Sequence, residues 1–484
     1  VSAPTGVLVI DIGTSGVRAA IVHDDASISD EHHREALPSS PAPGLVEFDA
    51  DELADASLAV ARETLAAGGP VAAVGVTNQR ASTIIWERAT GTPVGPGIGW
   101  QDLRTVGECL SWQAEGLRLA PNLSATKVCH LLDLHDADRT RDLCFGTVDS
   151  WIVWKLTRGS AHVTDLSNAA VTGLMNRGGT DWDRKVLSKL RIPEHYLPTV
   201  VDSSGTVAEA VALEGAPPIT GIAGDQQASL VGQGCVEPGP AKITFGTGGM
   251  LDVVVGPERP SFDTRGRGGT FPIVAWRRDG QATWGLEAIM LSAGTNVEWL
   301  RDDLGILSTT GESHDVASQC DDTDGVVFVP ALLGLGTPFW DYGARGTLLG
   351  LTRGAGRPQI VRAVLEGVAQ RGADLVDAAE DDGTRDIPTL RIDGGMSRNP
   401  TFVQALADAT QRRVEVSPVV EATTLGAAFF AGLAVGTWSS WDDIGATWRP
   451  RQIVEPRRVL DRDRWRDAVE RSRRWFGDLS TLDF

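Results

Sequence analysis

Residues 7–22, VLVIDIGTSGVRAAIV, and residues 241–255, AKITFGTGGMLDVVV, carry one pattern: an aliphatic strand, a Gly-containing turn and a second aliphatic strand. Superposing them puts Ile10 on Ile243, Gly13 on Gly246, Thr14 on Thr247 and Gly16 on Gly249. An echo spaced by about half of a 484-residue chain is too wide for a solenoid, and the chain is too long for one ordinary core. The spacing therefore predicts two related domains, each opening with its own hairpin. The stretch GQGCVEPGP supplies Gly and Pro near Gly234 to Gly239, which puts the boundary between domains 1–235 and 236–484.

Around the hairpins the pattern alternates between helical and strand periods. Residues 51–67 read as a helix and 71–76 as a strand; later, 326–330 reads as a strand, 358–379 as a helix, a strand ends at Asp393, and 400–410 is helical. The segment 424–435, rich in Ala and Gly, predicts a helix packed closely on a neighbour. This is α/β layering with a cleft between two halves.

Charge narrows the partners. Sixty-four acidic against 44 basic residues give a formal charge of -20, which disfavours nucleic acid and anionic membrane as partners. The five cysteines are odd in number and form no C-x-x-C pair, so free thiols are expected, and the eight His show no H-E-x-x-H spacing for a transition metal. The first apolar segment is broken by Asp11 and lacks a basic start, and no run approaches the roughly 20 residues of a membrane span, so a cytoplasmic protein is expected.

Several segments carry chemistry. Asp11 ends a strand ahead of Gly13, Thr14 and Ser15, an arrangement that puts a carboxylate near Mg²⁺ while backbone N–H and hydroxyl groups face phosphate; alone it is equally an acid in an ordinary hairpin. The echo at Thr244 to Gly248 adds a second phosphate clamp. No Walker A loop and no protein-kinase motif set is present. In GIAGDQQ, Asp225 follows an apolar strand and is either a base projecting into a cleft or a helix N-cap. Trp100, beside Gln101, Asp102 and Arg104, suits a sugar face or a structural role, and Gly394–Gly395 opens either an adenosine site or a plain turn.

Taken in order, DIGTSGVRA, GVTNQR, GWQDLRT, GTVDSWIVWKLT, HVTDLSNAA, GIAGDQQASLVGQ, TFGTGG, AGTNVEWLRD, PALLGLGTPFWD, ARGTLLGLTRG, DGGMSRN and TTLGAAFFAGLAVG resemble the FGGY family of carbohydrate kinases, most of all its glycerol kinase branch, over nearly the whole chain. The resemblance implies an actin-like ATPase (ribonuclease H-like) fold, with ATP and Mg²⁺ as cofactors and a small polyol or sugar as substrate; a homodimer is compatible with it. It further implies Asp225 as general base, Asp11 and Asp225 at Mg²⁺, and Thr14, Ser15, Arg18, Gly246 and Thr247 at the phosphates. Gly294, Gly395 and Asn399 match the adenosine site, and Arg80, Trp100 and Gln226 match the sugar pocket.

Three positions depart from the glycerol kinase pattern. Ala81 stands where Glu follows the NQR, Asn122 where a Tyr precedes the S-x-T-K segment, and Met250 where an aromatic follows GTG. Together they predict a wider pocket for a substrate of four to six carbons.

Overall fold

The computed structural model describes residues 6–383, 385–419 and 422–483. Each half is built around a hairpin. In the first, β1 (Val7–Ile12), β2 (Gly16–Val22) and β3 (Ile28–Glu35) run antiparallel, and β4 (Ala73–Asn78) and then β6 (Pro218–Gly224) add parallel to β1. The short β5 (Ser204–Glu209) pairs with β6. In the second half, β7 (Ala241–Phe245) and β8 (Gly249–Gly256) form the hairpin, and β10 (Gln281–Met290) lies antiparallel to β8 with β9 (Phe271–Arg278) outside it. Strands β11 (Thr389–Asp393) and β12 (Arg413–Val416) add parallel on the other side, and β13 (Gln452–Val454) closes the edge.

The order β3-β2-β1-β4-β6 is thus repeated as β10-β8-β7-β11-β12, with the same parallel and antiparallel senses. The internal echo of the sequence is an echo of topology, and the expected actin-like arrangement of two related α/β halves is what the chain adopts. All these strands join in one 13-stranded sheet, the halves meeting where β5 pairs with β9 through Ser204 and Arg278.

Strand β1 reads as an almost unbroken apolar run because both its faces are buried. Leu8, Ile10 and Ile12 enter the core of the first half, while Val7 and Val9 enter a second core shared with residues from the other half, including Ala427, Phe429 and Phe430. Those three lie on the helix Ala422–Val435, which follows strand β12 of the second half in sequence and packs on strands of the first half.

Helix α1 (Ala50–Gly68) extends one residue beyond the expected range at each end and is capped by Asp49, whose carboxylate accepts from the N–H groups of Asp51 and Glu52. Short helix α2 (Leu166–Ala170) follows, then α3 (Asp225–Gly232), α4 (Thr295–Asp302), α5 (Arg357–Gly383), α6 (Pro400–Thr410) and α7 (Ala422–Val435). The strand expected at 71–76 lies two residues later, as β4. Helix α7 packs on α3 as its small residues allow: a Cβ on Gly426 would overlap the carbonyl of Ala228, and one on Gly232 the carbonyl of Ala422. Gly75 and Gly221 likewise let β4 and β6 approach the α7 backbone, where an added Cβ would lie 2.5 Å from Ala427 O and from Ala431 N.

The five cysteines are free thiols, four of them buried. None of the described helices is long and apolar enough to cross a membrane.

Candidate active site

Parallel strands present their C-terminal ends on one edge, and loops leaving that edge converge. Asp11 of β1 is in register with Thr77 of β4, which is in register with Ala223 of β6. Neighbouring strands lie about 4.8 Å apart, so Asp11 and Ala223 stand about 10 Å apart on this edge. Asp225 comes two residues beyond Ala223 and is the first residue of α3.

The cap of α3 is Gly224, without a side-chain cap bond, so Asp225 is not the N-cap. Its Oδ1 accepts from the N–H of Gln226 at 2.8 Å and lies 3.5 Å from Arg80 Nε, and 31% of the side chain stays exposed. Burial raises its pKa, against the pull of the Arg80 guanidinium. Arg80 leaves the end of β4 and donates from Nη2 to Glu287 Oε2 of β10 at 2.6 Å. Burial alone would lower the pKa of Arg80, but the carboxylates of Glu287 and Asp225 hold it above its ordinary value.

Behind these residues lies a polar scaffold from the HVTDLSNAA segment. Buried Asp165 caps α2, accepting from the N–H groups of Ser167 and Asn168 and from the hydroxyls of Ser167 and Ser203. Ser167 Oγ accepts from the N–H of Gly224 at 3.0 Å, and the amides of Asn168 and Asn78 bond each other reciprocally at 3.1 Å. Both segments that carry Asp225 and Arg80 are thereby held from one short helix.

The first hairpin turn is tied to the same region. Gln79 Nε2 donates to Gly13 O at 3.0 Å, and Trp100 Nε1 donates to Thr14 Oγ1 at 3.3 Å. The backbone N–H of Trp100 bonds Ser82 Oγ at 3.1 Å. Ser15 is exposed at the tip, and Arg18 of β2 sits opposite Asp11 with its Nε 3.7 Å from Glu31 Oε1.

Ala81 adopts φ 62°, a left-handed conformation that costs a non-Gly residue energy. Its carbonyl accepts from the hydroxyls of Thr83 and Ser124, each at 3.1 Å, which holds the turn. Asn122 is exposed two residues before Ser124. The carbonyls flanking it, of Pro121 and Leu123, accept from Lys127 Nζ at 2.9 and 3.3 Å, and burial pushes the Lys127 ammonium down to about 7. Met250 is half-buried on β8, opposite Thr244 and Ile289.

In the second half three expected segments meet. Gly294 N donates to Gly246 O at 2.9 Å, Ala293 N to Thr247 O at 2.8 Å, and a Cβ on Gly294 would stand only 2.6 Å from Gly246 O. Gly394, at φ 83°, lies against the carbonyl of Phe245, so Gly395 follows beside the hairpin tip. A Cβ on Gly246 or Gly395 would meet nothing within 4 Å, which leaves bare backbone facing open space. Asn399 is different: its Oδ1 caps α6 through the N–H of Phe402 and its Nδ2 donates to Ser313 Oγ, so both ends of its amide are engaged within the protein.

Sequence reasoning passed over Lys242, Asp252 and Glu287. They stand in one row across β7, β8 and β10, each in register with the next. Lys242 Nζ lies 2.6 Å from Asp252 Oδ2, with both side chains fully buried, and donates to Gln226 Oε1 at 2.6 Å. The signal is a lone charge in each of three largely apolar strand segments, AKITF, MLDVV and LEAIM.

The N-terminal domain of the FGGY family of carbohydrate kinases matches residues 6–232, and its C-terminal domain matches 241–435. The chain is 42% identical over 496 residues to a glycerol kinase of Trichlorobacter lovleyi, covering 97% of this chain and 99% of that protein. It is 41% identical over 498 residues to one of Deinococcus radiodurans, covering 98% of each. Among solved structures, Plasmodium falciparum glycerol kinase with ADP superposes with a TM-score of 0.89 at 28% identity, over 96% of this chain and 98% of that one. A ligand-bound xylulose kinase of Lactobacillus acidophilus shares the fold, with a TM-score of 0.84 at 20% identity over 96% of each chain. With both family domains matched in order on the two halves that repeat one topology, the chain belongs to the FGGY family of carbohydrate kinases.

Proposed function

We propose that this ATP-dependent carbohydrate kinase phosphorylates a hydroxyl of a polyol or sugar of four to six carbons, with Asp225 as general base. The observation that carries the reading is the placement of Asp225: the first residue of α3, beside Arg80 and partly open on the edge where β1, β4 and β6 end.

A carboxylate whose pKa is raised by burial is a better proton acceptor than a solvated one, and Asp225 would take the proton of the attacking hydroxyl. Arg80, Trp100 and Gln226 would orient the substrate, with Ala81, Asn122 and Met250 shaping the wall. The tips at half-buried Thr14 and exposed Ser15, with Arg18 behind them, and at exposed Gly246 and Thr247 would offer hydroxyl and backbone groups to phosphate oxygens from opposite sides. Gly294 and Gly395 leave backbone surface for a flat base, and Asn399 would contribute through the backbone it caps.

Among the described residues no group of three or more His, Cys, Asp or Glu is arranged to hold a metal. Magnesium needs no such cluster, since it is commonly held by one or two carboxylates plus phosphate oxygens, and Asp11 with Asp225 fits that donor set. Bound there, it would neutralise charge on the phosphates.

The C4 to C6 preference rests on Ala81, Asn122 and Met250, which replace a carboxylate and two aromatic rings of the glycerol kinase pattern. Steady-state kcat/KM for glycerol, erythritol, threitol, the pentitols, xylulose and ribulose, read as ADP release, tests it. The longer substrates are expected to lead; a clear preference for glycerol overturns the size assignment.

A further inference from the structure

The segment that follows the helix Arg462–Ser472 runs back over the second half and reaches the first. One buried carboxylate anchors it: Asp341 accepts from the N–H of Arg474 at 2.9 Å and from the hydroxyl of Ser480 at 2.6 Å. Between these two bonds the N–H of Phe476 donates to Gly343 O at 3.0 Å, and the Arg345 guanidinium lies 4.6 Å from the centre of the Phe476 ring. A Cβ on Gly343 would overlap the carbonyl of Phe476, so the segment lies directly on this loop.

Three residues beyond Ser480, Asp483 meets both halves. Its carboxylate pairs with Arg265, in the loop between β8 and β9 of the second half, and with Arg118 of the first half. Its carbonyl accepts from Gln113 Nε2 at 2.9 Å, across 370 positions of sequence. Without this carboxylate two guanidiniums would face each other: burial and the Arg118 charge both lower the pKa of Arg265, with Tyr342 opposing.

Both attachments lead to the walls of the pocket. Gln113 belongs to the helix Val106–Ala114, and Arg118 to the loop that runs on to Asn122. Arg265 lies 4.9 Å from the centre of the Trp340 ring, and the Trp340 loop exchanges two bonds with Ile289: Thr337 N to Ile289 O at 2.9 Å and Ile289 N to Thr337 Oγ1 at 3.0 Å. Ile289 is the register partner of Met250. One side chain thus connects the segments that carry Asn122 and Met250, the two positions where the glycerol kinase pattern has aromatic rings.

We infer that Asp483 is a positioning residue for the kinase reaction: it fastens the Asn122 wall of the first half to the Met250 wall of the second and holds the pocket closed on its substrate. This rests on the kinase reading above, which puts the substrate between those walls. The halves must part to admit a substrate and meet again to exclude water, and a carboxylate between two guanidiniums favours the arrangement in which they meet. Apparent affinity for the substrate falls by the fraction of molecules held open. The side chains of Arg118 and Asp483 are 42% and 49% exposed, so salt screens the clamp and it is weak enough to release in each turnover.

D483A, R118A and D483A/R118A test it, assayed with Mg-ATP and the uncharged substrates glycerol, xylitol and xylulose. D483A is expected to raise KM for an accepted substrate about threefold to fivefold, the scale of a partly exposed ion pair, with kcat within about twofold. R118A should raise it by less, since it leaves no repulsion behind. Removing Arg118 from D483A takes that repulsion away, so KM should fall back toward the unmodified value, a recovery that a residue serving only to stabilise the fold would not show. Raising NaCl from about 0.05 to about 0.5 M should raise KM in the unmodified protein and lower it in D483A, because salt screens an attraction in one and a repulsion in the other. An unchanged KM in D483A, or a salt response of the same sign in both proteins, overturns the inference and leaves the kinase reading intact. If none of the three substrates is phosphorylated, the substrate reading fails, and hydrogen exchange decides the fastening separately: faster exchange across residues 106–122 in D483A supports it, and unchanged exchange overturns it.

Discussion

Arg80 and Glu287 are 207 positions apart in sequence, and their side chains meet at 2.6 Å across the two halves of the molecule. The same guanidinium lies 3.5 Å from Asp225, so one residue of the first half joins a strand of the second half to the start of α3. With only 11% of the Arg80 side chain and 8% of the Glu287 side chain exposed, the pair is largely withdrawn from water. Such a pair contributes little net stability by comparison with an apolar replacement, but removing one partner strands the other's charge.

E287A is therefore expected to destabilise the protein by about 3 kcal/mol in urea unfolding and to lower kcat/KM for the sugar substrate at least tenfold. E287Q, which keeps a hydrogen-bond acceptor, should fall between the two. Equal stability of E287A and the unmodified protein would show that Arg80 finds other company.

D225N keeps the shape of the side chain and removes its basicity. Its kcat should fall by about 10²–10⁴-fold while ATP affinity, measured by calorimetry, stays nearly unchanged. Turnover near that of the unmodified enzyme in a folded variant would remove Asp225 from the role of base.

Gly426 touches the backbone of α3 at Ala228, and G426A puts a methyl group into that carbonyl. Overpacking of this kind costs about 1–3 kcal/mol or more. Because α3 begins with Asp225, kcat should drop together with the melting temperature. A G426A protein with unchanged melting temperature and kcat would mean that α7 can move aside.

Asp149 supplies a pH signature away from the reacting groups. It is fully buried, accepts the hydroxyl of Thr164 at 2.7 Å and a bond from Thr147, and burial, with the nearby Asp165 carboxylate, pushes it up to about 6 from 3.8. A carboxyl with a raised folded-state pKa binds more protons folded than unfolded between those values, so its contribution to stability declines as pH rises from about 4 to 6. The full shift corresponds to about 3 kcal/mol. The stability difference between the unmodified protein and D149N, measured by urea unfolding at pH 4 and pH 7, should move against the unmodified protein by up to that amount. A difference independent of pH would mean that Asp149 ionises as freely in the folded state as in the unfolded chain.

The chain's own pattern carried the architecture far. The repeated hairpin, with β-branched runs around a Gly turn, is a local feature that twin five-strand arrangements then complete, and the Ala and Gly of 424–435 announced a close helix contact that α7 makes with α3. The end of an apolar strand at Asp225 was equally legible, because a strand period and a Gly suffice to place it. Whether Asp225 caps its helix was not: only the backbone at Gly224 decided that. The charges at Lys242, Asp252 and Glu287 were visible one by one but unreadable as a set. Their meaning depends on strand register across β7, β8 and β10, and on which helix end lies over the row. Periodicity and turn chemistry act over a few neighbouring residues, so the sequence by itself determined elements and their repeat. Polarity in the pocket comes from partners more than a dozen to two hundred positions away, brought together by the closing of one half on the other, and only the tertiary structure decided it.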